Sequence, residues 1–200
     1  SSISVNDVTP PSSITCPSPP PFFNLNIDTV SCSYVASTMP VDFFNGKAVA
    51  VDNCDPNPVE HNDAQTFDCK TLGSRPVIVS ATDCAGNFTT FTVTCNVIVR
   101  VNPADAGWTN PGRVCLNNVP LDLCPFRTGV RCGYWSGDAV TTGTCAAGGG
   151  IFNPTTPGAY AVTYTVGDAD CHVELTRVIN VEQAVTPPFL INDFGVCYCP

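Results

Sequence analysis

One stretch, residues 75–101, constrains the fold more than any other part of the chain. From Phe91 onward, polar residues separate the apolar or sulfur-bearing ones at every second position, with Ile98 as the one exception. Asp, Gly and Asn within residues 83–87 supply the residue types that a reversing chain needs. The stretch therefore predicts an antiparallel hairpin with one buried face. The alternating residues are Val77, Val79 and Ala81, then Phe91, Val93, Cys95, Val97, Val99 and Val101.

A second stretch shows the same alternation and predicts a second hairpin around Gly167 and Asp168. The chain has 19 Pro and 15 Gly, and charged residues make up only 12%, where about 25% is usual. No window of 10 to 12 residues has apolar spacing near 3.6. We therefore expect an all-β chain. The alternating residues of the second stretch are Tyr160, Val162, Tyr164 and Val166, then Cys171, Val173, Leu175, Ile179 and Val181.

Thirteen cysteines indicate a disulfide framework. No two cysteines are spaced as Cys-x-x-Cys, and only His61 and His172 are available as companion metal ligands. Disulfides are therefore favoured over metal or nucleophilic roles, and they imply an extracellular or periplasm-like compartment. Because the count is odd, at least one thiol is free or pairs with another molecule.

The charge of the chain excludes two classes of partner. A net charge of −9 with eight basic residues leaves no basic patch for nucleic acid and fits anionic membranes poorly. No apolar run approaches 18 residues, so no membrane span is expected. Ser1 begins without a basic and apolar leader, so we expect that any secretion signal has been removed.

Four separated motifs within residues 5–101 resemble the hyalin-repeat (HYR) family. The resemblance implies an extracellular immunoglobulin-like sandwich of the kind used in tandem by adhesion and matrix proteins. It also implies the disulfides Cys16–Cys95 and Cys32–Cys54. The motifs are Thr9-Pro10-Pro11 with Ile14-Thr15-Cys16-Pro17, Asp52-Asn53-Cys54, Phe67-Asp68-Cys69 with Leu72-Gly73, and Ala81-Thr82-Asp83 with Ala85-Gly86-Asn87.

After a linker of turn residues at 102–107, a second unit is similar to the Ig-like repeats of large bacterial cell-surface proteins. The similarity lies in Gly133-Tyr134-Trp135-Ser136-Gly137, in Pro157-Gly158-Ala159-Tyr160 and in a late Cys171. We therefore expect two tandem immunoglobulin-like β-sandwich domains, 1–102 and 103–186. Residues 187–200 form an extended terminal segment that follows a repeat of the pattern at residues 5–11.

The remaining cysteines are assigned by neighbourhood alone, because connectivity cannot be deduced from sequence. The assigned pairs are Cys69–Cys84, Cys115–Cys171 and Cys132–Cys145. Cys124, Cys197 and Cys199 remain as candidates for contact with another molecule. The apolar residues of the terminal segment join them in that role: Phe189, Leu190, Ile191, Phe194 and Val196.

Four aspartates, Asp52, Asp55, Asp63 and Asp68, could bind calcium with Asn53 and Asn57. They lack the spacing of a calcium loop, and turn formation explains them equally well, so we predict no metal and no cofactor. Asn87-Phe88-Thr89 is the single glycosylation sequon, although the turn also needs Asn87. We expect Trp108 and Trp135 in the core, and His61 and His172 at exposed positions.

No catalytic motif occurs, so we expect a protein that is not an enzyme. The first functional hypothesis is a subunit of an extracellular filament whose partners are other copies of the chain. Residues 189–198 would add a strand to a neighbouring sandwich, with residues 1–8 as the second candidate. The alternative is an adhesion or spacer module that binds a glycan or a cell-surface protein.

Overall fold

The computed structural model describes residues 6–117 and 119–183, and nearly all of their regular structure is β. Three short 3-10 turns, Cys69–Thr71, Cys124–Phe126 and Cys145–Ala147, are the only helical segments in this part of the chain. The strands are β1 Ser13–Thr15, β2 Phe22–Leu25, β3 Ile27–Asp28, β4 Ser33–Tyr34, β5 Ser37–Thr38, β6 Val49–Val51, β7 Val59–Asn62, β8 Thr66–Phe67, β9 Gly73–Thr82, β10 Val93–Val101, β11 Arg113–Leu116, β12 Leu121–Asp122, β13 Tyr134–Gly137, β14 Gly143–Thr144, β15 Ile151–Phe152, β16 Gly158–Gly167 and β17 His172–Gln183.

The chain divides into two compact units. Unit 1 contains residues 1–26 and 35–102, and unit 2 contains residues 27–34 and 103–200. Unit 1 ends at residue 102, where the linker of turn residues begins. The β3–β4 hairpin belongs to unit 2, although it precedes most of unit 1 in sequence, and nothing in the sequence pattern indicates this.

Unit 1 is organised on a four-stranded sheet in the order β2-β10-β9-β7. Strands β9 and β10 pair antiparallel with Val93 opposite Val79, and they form the hairpin that the alternation predicts. Val77, Val79, Ala81, Cys95, Val97 and Val99 are all buried. Short strands supply the apolar groups that complete this core, including Ile14 of β1, Ala50 of β6 and Phe67 of β8.

Unit 2 is organised on a five-stranded sheet in the order β11-β17-β16-β13-β14. The predicted β16–β17 hairpin pairs over ten residue positions, from Gly158 opposite Val181 to Gly167 opposite His172. Its core contains an aromatic cluster in which the ring centroids of Trp108 and Trp135 are 5.1 Å apart. The rings of Trp135 and Tyr164 are 4.8 Å apart. Both tryptophans are fully buried, as expected of core residues.

Both units share one topological feature, which is that the first strand of the main sheet pairs parallel with the last. In unit 1, β2 runs parallel to β10 with Phe23 opposite Val99. In unit 2, β11 runs parallel to β17 with Val114 opposite Val181. A parallel pair cannot be joined by a tight hairpin, so the intervening strands must connect the two. Together with the all-β content, this arrangement gives the chain an immunoglobulin-like fold.

The disulfides agree with the predicted pairing at one bond and correct it at the others. Cys16 is bonded to Cys95, as the family resemblance implies. Cys32 is bonded to Cys132 and Cys124 to Cys145, so the predicted pairs Cys32–Cys54 and Cys132–Cys145 are wrong. The intermolecular role predicted for Cys124 is also wrong, because its sulfur is used within unit 2. Pairing cysteines by their proximity in the sequence gave wrong bonds because residues 27–34, which carry Cys32, belong to unit 2.

Two further pairs need correction. Cys69 and Cys171 are both disulfide-bonded, but Cys84 carries a free thiol and the bond of Cys171 does not go to Cys115. The pairs Cys69–Cys84 and Cys115–Cys171 are therefore wrong. The predicted intermolecular residues of the terminal segment lie outside the described residues: Phe189, Leu190, Ile191, Phe194, Val196, Cys197 and Cys199.

The bonded cysteines place this protein in an extracellular or cell-surface location, because such bonds do not persist in a reducing cytoplasm. Within residues 6–117 and 119–183, no helix is long and apolar enough to cross a bilayer.

The Cys16–Cys95 bond spans 79 residues and should contribute strongly to the stability of unit 1. Replacing both cysteines by serine should lower the free energy of unfolding by about 2–5 kcal/mol. Denaturant unfolding, followed by circular dichroism, measures the change. The control is Cys84→Ser, because that thiol is exposed and free, and its loss should change stability by less than about 0.5 kcal/mol. Equal effects in the two proteins would contradict the structural role of the bond.

Tyr164 gives unit 2 a pH dependence in the alkaline range. Burial raises the pKa of this phenol above its ordinary value, and its hydroxyl donates to the carbonyl of Val130 at 2.8 Å. The stability linked to this proton is complete below the pKa of an unfolded tyrosine, which is about 10. It is lost as the pH rises through the higher folded pKa.

We therefore expect the unfolding temperature of unit 2 to fall above about pH 10. Tyr164→Phe should lower the unfolding temperature at neutral pH but flatten its dependence above pH 10. Tyr134→Phe, which alters a more exposed tyrosine, should keep the wild-type dependence. Tryptophan fluorescence during thermal unfolding measures all three proteins. A wild-type pH profile in Tyr164→Phe would assign the dependence to another group.

Candidate metal centre

Three carboxylates from separate parts of the sequence meet in unit 1. One oxygen each from Asp7, Asp52 and Asp83 lies within 4.8 Å of the other two. Asp7 precedes β1, Asp52 directly follows β6, and Asp83 directly follows β9. The ends of two strands and the incoming chain thus bring three negative groups to one place.

Local turn geometry holds one oxygen of each carboxylate. The Oδ1 atom of Asp52 accepts hydrogen bonds from the backbone N–H groups of Cys54 at 2.9 Å and Asp55 at 2.8 Å. The Oδ1 atom of Asp7 accepts one from the N–H of Thr9 at 3.0 Å. Such bonds to the residues that follow are typical of Asx turns, and they explain why aspartate occurs at these positions.

Asp83 is held by a larger set of donors in the turn that follows β9. Its Oδ1 atom accepts from the N–H groups of Ala85 at 2.9 Å and Asn87 at 2.8 Å. Its Oδ2 atom accepts from the side-chain amide of Asn87 at 2.8 Å. Desolvation is the largest single effect and raises the pKa of Asp83, but these hydrogen bonds together hold it below its ordinary value. The carboxylate is therefore ionised at neutral pH.

Two oxygens in the cluster have no partner among the described residues. The Oδ2 atoms of Asp7 and Asp52 are buried, and neither accepts a hydrogen bond. Asp83 is 5% exposed, and its hydrogen bonds come from uncharged groups only. No Lys, Arg or His of residues 6–117 and 119–183 forms an ion pair with any of the three. Buried polar atoms normally have partners, so these oxygens mark an unsatisfied site.

The thiols of Cys54 and Cys84 adjoin the cluster. Desolvation, and then the charges of Asp7 and Asp52, raise the pKa of Cys54. The charge of Asp55, and then desolvation, raise the pKa of Cys84. A nucleophilic cysteine or a thiolate ligand needs a lowered pKa, so this environment works against both roles. The donors of the cluster are therefore oxygens, which suit a hard cation such as Ca²⁺ or Mg²⁺.

Of the four aspartates that the sequence offered for calcium, only Asp52 belongs to the cluster. Asp55 instead accepts from the N–H of Cys84 at 2.7 Å and from the N–H of Asn57 at 2.9 Å. Asp63 accepts from the N–H of Ile78, and Asp68 caps the 3-10 turn at Cys69–Thr71. Asn53 and Asn57 supply no oxygen to the cluster.

Sequence reasoning missed Asp7 and Asp83. The sequence pattern could have indicated Asp83, because Asp83, like Asp52, comes directly after a stretch that predicts a strand. Nothing in the sequence indicated that the chain at Asp7 would return to these two strand ends. The remaining candidates lie elsewhere: the ring of His61 is 6.4 Å from that of Phe88, and Nδ1 of His172 is 3.1 Å from the carbonyl oxygen of Asp168.

Comparisons with known proteins yield only distant similarities. No protein-family model and no curated protein matches the chain. A SusE-like surface-located polysaccharide-binding protein from Bacteroides thetaiotaomicron aligns at 16% identity and a TM-score of 0.31, over 74% of this chain and 29% of that one. Extracellular domains 3–5 of Drosophila OTK align at 14% identity and a TM-score of 0.27, over 86% and 63%.

A titin Ig tandem, A164-A165, aligns at 11% identity and a TM-score of 0.23, over 74% of this chain and 82% of that one. The chain spans less than two thirds of the first two of these structures. At such TM-scores the alignments do not establish common ancestry or a common function. The functional conclusions below therefore rest on this chain's own geometry.

The amide of Asn87 already has two acceptors, which bears on the sequon. Its Nδ2 atom donates to Oδ2 of Asp83 at 2.8 Å and to the carbonyl oxygen of Asp7 at 3.2 Å. An N-linked sugar replaces one of these two hydrogens. We expect Asn87 to be unmodified in the folded protein, which peptide mass spectrometry of native material can measure. Asn87→Gln should leave the carbohydrate mass unchanged, and a glycan on Asn87 would contradict this assignment.

Proposed function

We propose that this chain is a structural subunit of an extracellular filament and that it resists tension. The observation that carries the proposal is the parallel pairing of the first and last strands of the main sheet in both units. The same pairing occurs in both units, so both units share one mechanical property, which is resistance to extension.

The property follows from where tension enters and leaves each unit. Tension applied to the N-terminal side of β2 and the C-terminal side of β10 pulls the two parallel strands in opposite directions along their axes. The hydrogen bonds between them are then loaded in shear and must break together. An antiparallel terminal pair would instead be opened from one end, one bond at a time. Parallel terminal pairs are therefore the arrangement that resists extension.

The Cys16–Cys95 bond supports the same role in unit 1. Cys16 follows β1, and Cys95 lies within β10, which is the strand through which the chain leaves the unit. Because β2 lies within the loop that this bond closes, tension that enters at Cys16 passes through the covalent bond into β10, and the β2–β10 pair is loaded in shear only when the bond is reduced. The bond thus limits how far unit 1 can lengthen under load, even when its non-covalent contacts are broken.

Assembly by strand addition is the mechanism we propose for joining subunits. Each main sheet ends in short edge strands, β2 and β7 in unit 1 and β11 and β14 in unit 2, none longer than four residues. An added strand from another copy would pair through backbone groups at such an edge, and its alternating side chains would set the register. Residues 189–198 are the proposed donor because they are rich in apolar residues.

The test compares the complete chain with a chain that ends at Gln183. The complete chain should form filaments visible by negative-stain electron microscopy, whereas the shortened chain should remain a folded monomer by light scattering. The shortened chain keeps the accepting edge, so adding it in small amounts should shorten the filaments. Phe189→Asp with Ile191→Asp should also prevent assembly, and Asn192→Asp is the matched control that should not.

A complete chain that stays monomeric at high concentration would overturn the filament proposal. It would leave the adhesion or spacer module as the better account of two immunoglobulin-like units on one chain. Filaments that form equally well without residues 184–200 would keep the structural role but exclude this segment as the donor.

A further inference from the structure

We propose that Asp7, Asp52 and Asp83 bind one calcium ion. The proposal does not depend on filament assembly, because the three carboxylates all belong to unit 1 of a single chain. It rests on two observations: the convergence of three carboxylates, and the unsatisfied state of two of their oxygens.

The first observation is the convergence of negative charge. Three carboxylate oxygens lie within 4.8 Å of one another, and no cation of the described residues is paired with them. A bound cation would turn the mutual repulsion of the three groups into attraction.

The second observation points to the ligand itself. The Oδ2 atoms of Asp7 and Asp52 are buried and have no hydrogen-bond partner, although both residues use their Oδ1 atoms in turns. The turns explain why one oxygen of each residue is held in place, but they leave the second oxygen unexplained. Burying an unsatisfied carboxylate oxygen is unfavourable, and coordination to a metal is one of the few ways to satisfy it.

The chemistry of the donors selects calcium. All three side chains offer hard oxygen atoms, which suit hard cations better than metals that prefer thiolate. Calcium accepts irregular geometry and completes its six to eight ligands with carbonyl oxygens and water, whereas magnesium requires near-octahedral geometry. A site assembled from three loop positions fits the less demanding ion.

Calcium would connect three parts of unit 1 that are distant in sequence. It would hold the chain at Asp7 against the turns at residues 52–55 and 83–87, where the side-chain amide of Asn87 already donates a hydrogen bond to the carbonyl oxygen of Asp7. The incoming chain would then be fixed to the body of the unit. Removal of calcium should leave that segment more exposed to proteases.

The experiment is a calorimetric titration of the complete, chelator-treated chain with calcium chloride, supported by equilibrium dialysis. We expect one ion per chain with a Kd of about 0.1–1 mM, the range of extracellular calcium modules. Asp52→Asn and Asp7→Asn should each weaken binding by about tenfold or more, because each removes one of three charges. Asparagine keeps the Oδ1 acceptor of each turn, so both variants should fold.

Asp28→Asn is the matched control. The Asp28 carboxylate also accepts backbone N–H groups in a turn, from Val30 and Ser31, but it lies in unit 2. This variant should bind calcium like the wild type. A second readout is the unfolding temperature, which calcium should raise in the wild type and in Asp28→Asn but not in Asp52→Asn.

Three outcomes would overturn the proposal. The first is absence of binding up to 10 mM calcium, a concentration about tenfold above the expected range. The second is equal loss of binding in Asp52→Asn and Asp28→Asn, which would indicate diffuse attraction to an acidic chain. The third is a calcium-dependent rise in unfolding temperature that is as large in Asp52→Asn as in the wild type, which would place the bound ion elsewhere in the chain.

Discussion

Burial of one face of each long hairpin is the interaction on which the rest of the structure depends. In β9–β10 and β16–β17, most buried side chains stand at alternate positions, although Thr165 is buried between Tyr164 and Val166. These two hairpins provide the most extensive strand pairing in the described chain. A shift of register by one residue would expose the whole apolar face, so the register is fixed. Every other strand of the described residues has at most four residues, and β2, β7, β11 and β13 pair directly with one of these hairpins.

The same frame positions the carboxylate cluster. Asp83 directly follows β9, and Asp52 directly follows β6. Strand β6 pairs with β1, and the segment that carries Asp7 precedes β1. Rigid strands thus hold flexible turn residues in a fixed relation, as is common where loops bind ligands on a sandwich scaffold. Load resistance and cation binding would then both arise from how strand ends are placed, and neither needs a cavity or a catalytic group.

The disulfides divide into two kinds by what they connect. Cys16–Cys95 joins segments that already pair or pack within unit 1, so it reinforces an arrangement that the sheet creates. Cys32–Cys132 fixes residues 27–34 within unit 2, across a sequence separation of 100. Because hydrophobic alternation is weak in strands of two residues, a covalent bond is a direct way to hold such a hairpin in place.

The sequence alone determined the all-β class and the two long hairpins, and the family resemblance implied the Cys16–Cys95 bond. Alternation with period two is a local property, and it survives in any fold that buries one face of a sheet. Only the tertiary structure decided the other disulfides, the place of residues 27–34 and the meeting of Asp7 with Asp52 and Asp83. These depend on which distant segments approach each other. Turn residues show the same sequence pattern whether or not a distant segment contacts them.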